Sequence, residues 1–163
     1  MLDRPTLQRL YRYGFSLTRN EDAAYDLLQD ALEISLRKAP ANDNATISYV
    51  QRIMRNRFID QYRRDHRHQI VSLDENQPVS IDPQVLEDIV IAEHEVESIM
   101  IMLEPLEREL LFFWAVEGYT AQEIADRTDS PRGTILSRIH RLRQKILQHM
   151  ESPDAGIEGG PAT

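Results

Sequence analysis

The sequence predicts an all-α protein: two small helical domains joined by an acidic linker, the C-terminal one a helix-turn-helix. Three observations lead there. Apolar residues recur at helical spacing almost throughout, and strand-like alternation is nearly absent. A stretch with two prolines and no helical period, residues 71–83, interrupts the pattern midway through the 163 residues. Charge is also segregated. The chain is net -8, yet residues 48–68 hold six Arg against two Asp and residues 127–149 hold five Arg and one Lys against one Asp. Residues 74–109 hold eleven acids and one Arg, so two basic helical segments flank an acidic middle.

The elements follow in order. Residues 6–17 read as an opening helix. Asn20 is a suitable N-cap for a second helix running to about Lys38, with Glu21 and Asp22 in its first turn and Ala24, Leu27, Leu28, Ala31, Leu32 and Ser35 near one face. Residues 39–45, with Pro40 and three Asx residues, read as a loop. A third helix is expected from Thr46 or Ser48 to about His66, with Val50, Met54 and Phe58 as core positions. Helix resumes over residues 84–103. Pro105 suits the first turn of the next helix, which Gly118 ends. Residues 120–127 and 131–149 complete the pattern. The expected organisation is an N-terminal domain over 1–70, an acidic linker over 71–90, a C-terminal domain over 91–150 and a disordered tail over 151–163.

Composition excludes several classes. There is no Cys, so disulfides and thiolate metal sites are ruled out. No apolar run approaches the roughly 20 residues that span a bilayer, and the N-terminus lacks a signal-peptide core. A cytoplasmic protein without membrane insertion is expected. His66 and His68 form a pair with no third ligand nearby, so no metal is expected. No glycine-rich phosphate loop and no nucleophile motif occur, so neither a cofactor nor catalytic residues are expected.

The strongest constellation spans residues 118–138. Thr120 and Glu123 have capping-box spacing at the start of a short helix. Ile124 and Ala125 supply its apolar face, residues 128–130 its turn, and Pro131 the start of the next helix. In that second helix Ile135, Ile139, Leu142 and Ile146 make one buried stripe. Thr134, Arg138, Arg141, Lys145 and Gln148 make another row. A basic outer face on the second helix of such a pair suits the major groove, where Arg meets guanine edges or phosphates. A solvated basic face on an ordinary helical hairpin has the same periodicity. In residues 48–67 Arg52, Arg55, Asn56, Arg63 and Arg67 are interleaved with Tyr49, Phe58 and Tyr62, a pattern that suits single-stranded DNA. Tyr49, beside the Asx-rich loop, is the better stacking candidate. Asp26, Asp30 and Glu33 read either as a solvated acidic face or as a protein-docking surface.

Together these blocks resemble the extracytoplasmic-function (ECF) family of bacterial RNA polymerase sigma factors, over residues 11–150. The resemblance rests on Leu17-Thr18, Ala24, residues 26–30, Ile53, Arg55-Asn56, Ile59-Asp60 and Arg63-Arg64 in the first half. In the second half it rests on Gly118, Thr120, residues 123–125, residues 133–135, Ser137-Arg138, Arg141 and Arg143. Helix-turn-helix signals are shared with many regulators; both halves in this order are specific. The resemblance implies a sigma factor, not an enzyme, that binds core RNA polymerase and directs promoter-specific transcription initiation. It implies polymerase docking through Asp26, Leu28, Gln29 and Asp30. It implies minus-ten contacts from Asn42, Asn44, Tyr49, Arg52, Asn56 and Arg63, with the loop over 39–47 capturing a flipped base. It implies minus-thirty-five contacts from Arg132, Thr134, Ser137, Arg138, Arg141 and Lys145. Its partners would be core RNA polymerase, promoter DNA and an anti-sigma factor.

Four departures stand out. Tyr49 replaces the family's Trp, Asp129 its turn Gly, Leu136 a frequent basic residue and Glu104 the Leu before Pro105. The acidic middle would lie in the polymerase's basic RNA path, or serve only as a solubilising segment. Two other readings compete: a stand-alone helix-turn-helix regulator, which has no need of the block over residues 26–30, and a DNA-processing enzyme such as a recombinase, for which no catalytic cluster is present.

Overall fold

Helix α1 (Arg4–Thr18) begins where the Thr6 N–H donates to Asp3 Oδ1 at 3.0 Å, and Pro5 sits in its first turn. The hydrogen bonds from Thr6 hold the Asp3 carboxyl below its ordinary range. The helix stops at Arg19, which takes a left-handed conformation (φ 54) and returns its N–H to the Phe15 carbonyl at 2.8 Å. Asn20 then caps α2 (Glu21–Lys38) as the sequence predicts, its Oδ1 accepting from the Ala23 N–H at 2.9 Å. Glu21 and Asp22 in the first turn and Arg37 and Lys38 in the last complement the helix dipole.

The computed structural model describes residues 2–38, 43–66 and 93–151. The expected linker lies outside the described residues, as does the expected tail except for Glu151, which belongs to the last helix. Among these residues every regular element is helical, and they fall into two compact units. The first is built on α1, α2 and α3 (Asp43–Asp65). The second is built on α4 (Glu93–Met102), α5 (Pro105–Leu111), α6 (Ala121–Thr128) and α7 (Arg132–Glu151).

The core of the first unit is Leu10, Tyr13 and Leu17 from α1, Ala24, Leu28 and Ala31 from α2, and Val50 and Met54 from α3. Burying each large side chain fully contributes about 1.5–3 kcal/mol. The helices approach closely at Gly14, where an added Cβ would stand 2.9 Å from Met54 Cε and 3.4 Å from the Ala24 carbonyl oxygen. Two expectations change here. α3 starts at Asp43, so helix takes over most of the stretch read as a loop to Ile47. Asx and Thr residues discourage helix interiors but are at home in first turns. Phe58, expected in the core, is half-buried and stacks instead on Tyr62, with centroids 5.9 Å apart.

In the second unit Ile99, Leu103, Leu110, Phe112, Phe113, Ala121, Ile124 and Ala125 are buried together with the apolar stripe of α7. Glu104, in place of an apolar residue, is exposed at the α5 N-cap, so its charge meets water rather than core. After Leu111 the helix continues as a π-helical turn, Phe112–Val116. The Tyr119 N–H reaches back to the Phe113 carbonyl at 2.9 Å, and Gly118 supplies the left-handed residue (φ 70) that ends the turn. The Arg108 guanidinium is buried and donates to the Leu103 carbonyl.

Gly14→Val forces two methyl groups into the closest helix contact and should destabilise the first unit by about 1–3 kcal/mol. Met54→Ala removes core volume and should cost about 2–5 kcal/mol. Urea unfolding followed by far-ultraviolet circular dichroism measures both. Unfolding midpoints equal to that of the parent chain would refute this account of the core.

Candidate nucleic-acid interface

The helix-turn-helix is set by local chemistry at both ends of α6. The Glu123 N–H donates to Thr120 Oγ1 at 3.2 Å, and the Thr120 N–H donates to Glu123 Oε1 at 3.2 Å. This is the reciprocal capping box read from the sequence. At the other end Asp129 adopts φ 50, and the Ser130 N–H returns to the Ala125 carbonyl at 3.0 Å. This ends α6 at a left-handed residue. Asp tolerates this conformation better than most residues with a Cβ. Pro131 follows, and its carbonyl receives the Ile135 N–H as α7 begins.

Ile135, Ile139, Leu142 and Ile146 are all buried, so the predicted stripe of α7 is the side that faces the core. At about 100° per residue, Thr134, Arg138, Arg141 and Lys145 fall within roughly 60° of one another on a different side. Arg132 and Arg141 are exposed, and Thr134 and Arg138 are half-buried. Two predicted contacts do not stand open on this face. Ser137 is only 5% exposed, and its hydroxyl donates to the Gly133 carbonyl at 3.0 Å. A small side chain satisfied by its own helix has little left to offer a base. Lys145 Nζ lies 2.8 Å from Glu107 Oε1, so its charge is engaged by α5.

The continuous α3 gathers Tyr49, Arg52, Asn56 and Arg63 within roughly 60° of arc. Arg52, Asn56 and Arg63 are exposed and Tyr49 is half-buried. Asn42 lies outside the described residues. Asn44 lies in the first turn of α3, and its side chain is outside the described set. A neighbouring side of α3 carries an aromatic ladder. Phe58 stacks on Tyr62, and Tyr62 stacks on His66 with centroids 4.2 Å apart.

On α2 the expected docking set divides. Asp26, Gln29 and Asp30 are exposed, but Leu28 is 7% exposed and belongs to the core, because it lies on the same side as Ala24 and Ala31. Asp30 is not an isolated charge: Arg57 of α3 reaches its Oδ2 at 3.3 Å. Sequence reasoning missed Tyr25 and Leu36, which stand 55% and 80% exposed on this helix. The Gln29 amide donates to the Tyr25 hydroxyl at 2.7 Å. Their signal was present in the sequence as two large apolar residues off the buried stripe. Among the described residues no group of acids and histidines could hold a metal ion, and no helix is long and apolar enough to cross a membrane.

Comparison with known proteins follows the same division. Residues 2–68 match the model of sigma-70 region 2, and residues 93–146 match that of sigma-70 region 4. The chain is 28% identical over 155 residues to the ECF RNA polymerase sigma factor SigE of Mycolicibacterium smegmatis, covering 91% of this chain and 60% of that protein. It is 26% identical over 152 residues to the ECF RNA polymerase sigma factor SigM of Mycobacterium tuberculosis, covering 92% of this chain and 76% of that protein. Among solved structures, the sigma factor RpoE from Bartonella quintana, crystallised with the anti-sigma factor NepR, matches with a TM-score of 0.62. That match covers 90% of this chain and 92% of that one at 24% identity, and so speaks to the fold.

Two substitutions test the turn geometry. Thr120→Ala should cost about 0.5–2 kcal/mol through loss of the cap. Asp129→Gly should stabilise the second unit by up to about 1 kcal/mol, since glycine adopts positive φ without a Cβ clash. Trp114, the single tryptophan, reports unfolding of this unit by fluorescence. A destabilised Asp129→Gly variant would contradict the assigned backbone.

Proposed function

The chain belongs to the extracytoplasmic-function family of RNA polymerase sigma factors, and on that ground we propose that it binds core RNA polymerase and directs promoter-specific transcription initiation. One observation carries the reading: region 2 and region 4 of a sigma factor match one chain, in that order. A stand-alone helix-turn-helix regulator accounts for the second match and leaves the first unexplained.

Each exposed face has a role in this reading. Asp26, Gln29 and Asp30 on α2 dock on polymerase, Tyr25 and Leu36 add apolar area, and Leu28 supports the helix from beneath. Tyr49, Arg52, Asn56 and Arg63, with Asn42 and Asn44, engage the minus-ten element. There the Tyr ring stacks on a base and the cations hold the backbone. Arg132, Thr134, Arg138 and Arg141 of α7 meet the minus-thirty-five element in the major groove. Arg can fork to the O6 and N7 of guanine, and the helix N-terminus favours phosphate. The factor works in the cytoplasm and supplies recognition, while the polymerase makes the phosphodiester bonds. A net charge of -8 opposes binding of the free factor to arbitrary DNA. An anti-sigma partner is included in the proposal, supported by the complex in which the Bartonella relative was crystallised.

Run-off transcription with purified core polymerase and candidate promoters tests the reading. A promoter-dependent transcript is expected only when the chain is added. Binding to duplex DNA without any such transcript would replace the proposal with a stand-alone regulator. Arg141→Ala should weaken binding to the upstream element by about 1–3 kcal/mol if the side chain reads a base. An unchanged footprint over that element would refute the assigned face.

A further inference from the structure

The second unit contains an ion pair that changes how the basic row of α7 is read. Helical spacing puts Lys145 in register with Arg138 and Arg141, so the sequence counts it as a DNA contact. In the fold its Nζ is 2.8 Å from Glu107 Oε1, and both side chains are partly withdrawn from water, 39% and 27% exposed. The same Glu107 oxygen accepts the Glu104 N–H at 2.8 Å. Glu107 is therefore fixed by the start of its own helix before it meets the lysine. A carboxylate already held in place spends little conformational entropy on pairing. It also cancels the lysine's charge where a phosphate would otherwise approach.

Resting on the promoter-binding reading above, we propose that Lys145 is not a DNA contact but a positioning residue. Through Glu107 it braces α7 against α5, setting the pose in which Arg138 and Arg141 meet the major groove. Glu107 in turn closes the basic face, confining the DNA-reading part of α7 to residues 132–141. A phosphate arriving beyond Arg141 meets a pair whose charges cancel.

Two properties separate a brace from a contact. A phosphate contact adds close to one unit to the salt dependence of binding; a brace adds nothing to the slope and changes affinity only. A brace also needs both partners, so removing either weakens binding, and exchanging the two charges restores the pairing though not the Glu107 bond to the Glu104 N–H.

The experiment uses holoenzyme reconstituted with the full chain and a promoter duplex carrying the upstream element, titrated at several salt concentrations. Lys145→Gln and Glu107→Gln should each weaken binding by about threefold or more with the salt slope of the parent chain. Lys145→Glu alone should weaken it further, and Lys145→Glu combined with Glu107→Lys should recover part of the loss. Arg141→Ala serves as the comparison that touches DNA. The inference is overturned if Lys145→Gln lowers the slope by about one while Glu107→Gln leaves affinity unchanged. It is overturned equally if the exchanged pair binds no better than Lys145→Glu alone. Should the parent holoenzyme itself fail to bind the promoter, the functional reading falls first and takes this inference with it. Parent binding without rescue by the exchanged pair removes only the brace. Trp114 fluorescence on each variant identifies any that fail to fold, and for those Lys145→Met and Glu107→Met supply the same comparison.

Discussion

Burial of one stripe of α7 is the constraint on which the rest of the second unit depends. Ile135, Ile139, Leu142 and Ile146 enter the core. With 3.6 residues per turn, Arg138 and Arg141 then have no choice but to point elsewhere. A cation cannot follow into the interior without a partner, because desolvation costs more than the packing returns. The outward-facing basic row is thus a consequence of the core rather than a separate feature. The same logic operates in α3, where Val50 and Met54 go in and Arg52, Asn56 and Arg63 stay out.

What remains is the direction in which that row is aimed, and this belongs to the turns. The Thr120–Glu123 capping box fixes where α6 begins, and the left-handed residue at Asp129 fixes how sharply the chain leaves it. The π turn over Phe112–Val116 and its left-handed glycine set the approach to the same motif from the other side. Thr120 and Glu123 direct their side chains to each other's backbone N–H groups. Together the turns convert an amphipathic helix into an oriented one.

The proposed binding of an acidic chain to DNA depends on local rather than net charge. Yet the cationic surface offered is smaller than the count of Arg and Lys suggests. Arg57 is engaged by Asp30 and Lys145 by Glu107. The first pair ties α2 to α3, so a residue proposed for docking also touches the helix proposed for strand binding. The two pairs leave less cationic surface on each unit than the sequence suggests.

The sequence by itself determined the helical class, the caps at Asn20 and Thr120, the buried stripe of α7 and the left-handed turn residue. Each of these is written in spacing or in the conformational preference of one or two neighbouring residues. It also carried the order of motif blocks that places the chain in its family. Only the tertiary structure decided which members of a row are available. Leu28 and Ser137 matched a motif and proved buried, while Tyr25 and Leu36 matched none and stand exposed. Lys145 sat in register with two arginines, but its partner lies 38 positions away in sequence. Periodicity reports the angle of a side chain around its own helix. It carries no information about what another helix brings to that angle, and at Lys145 that is an acid already pinned in place.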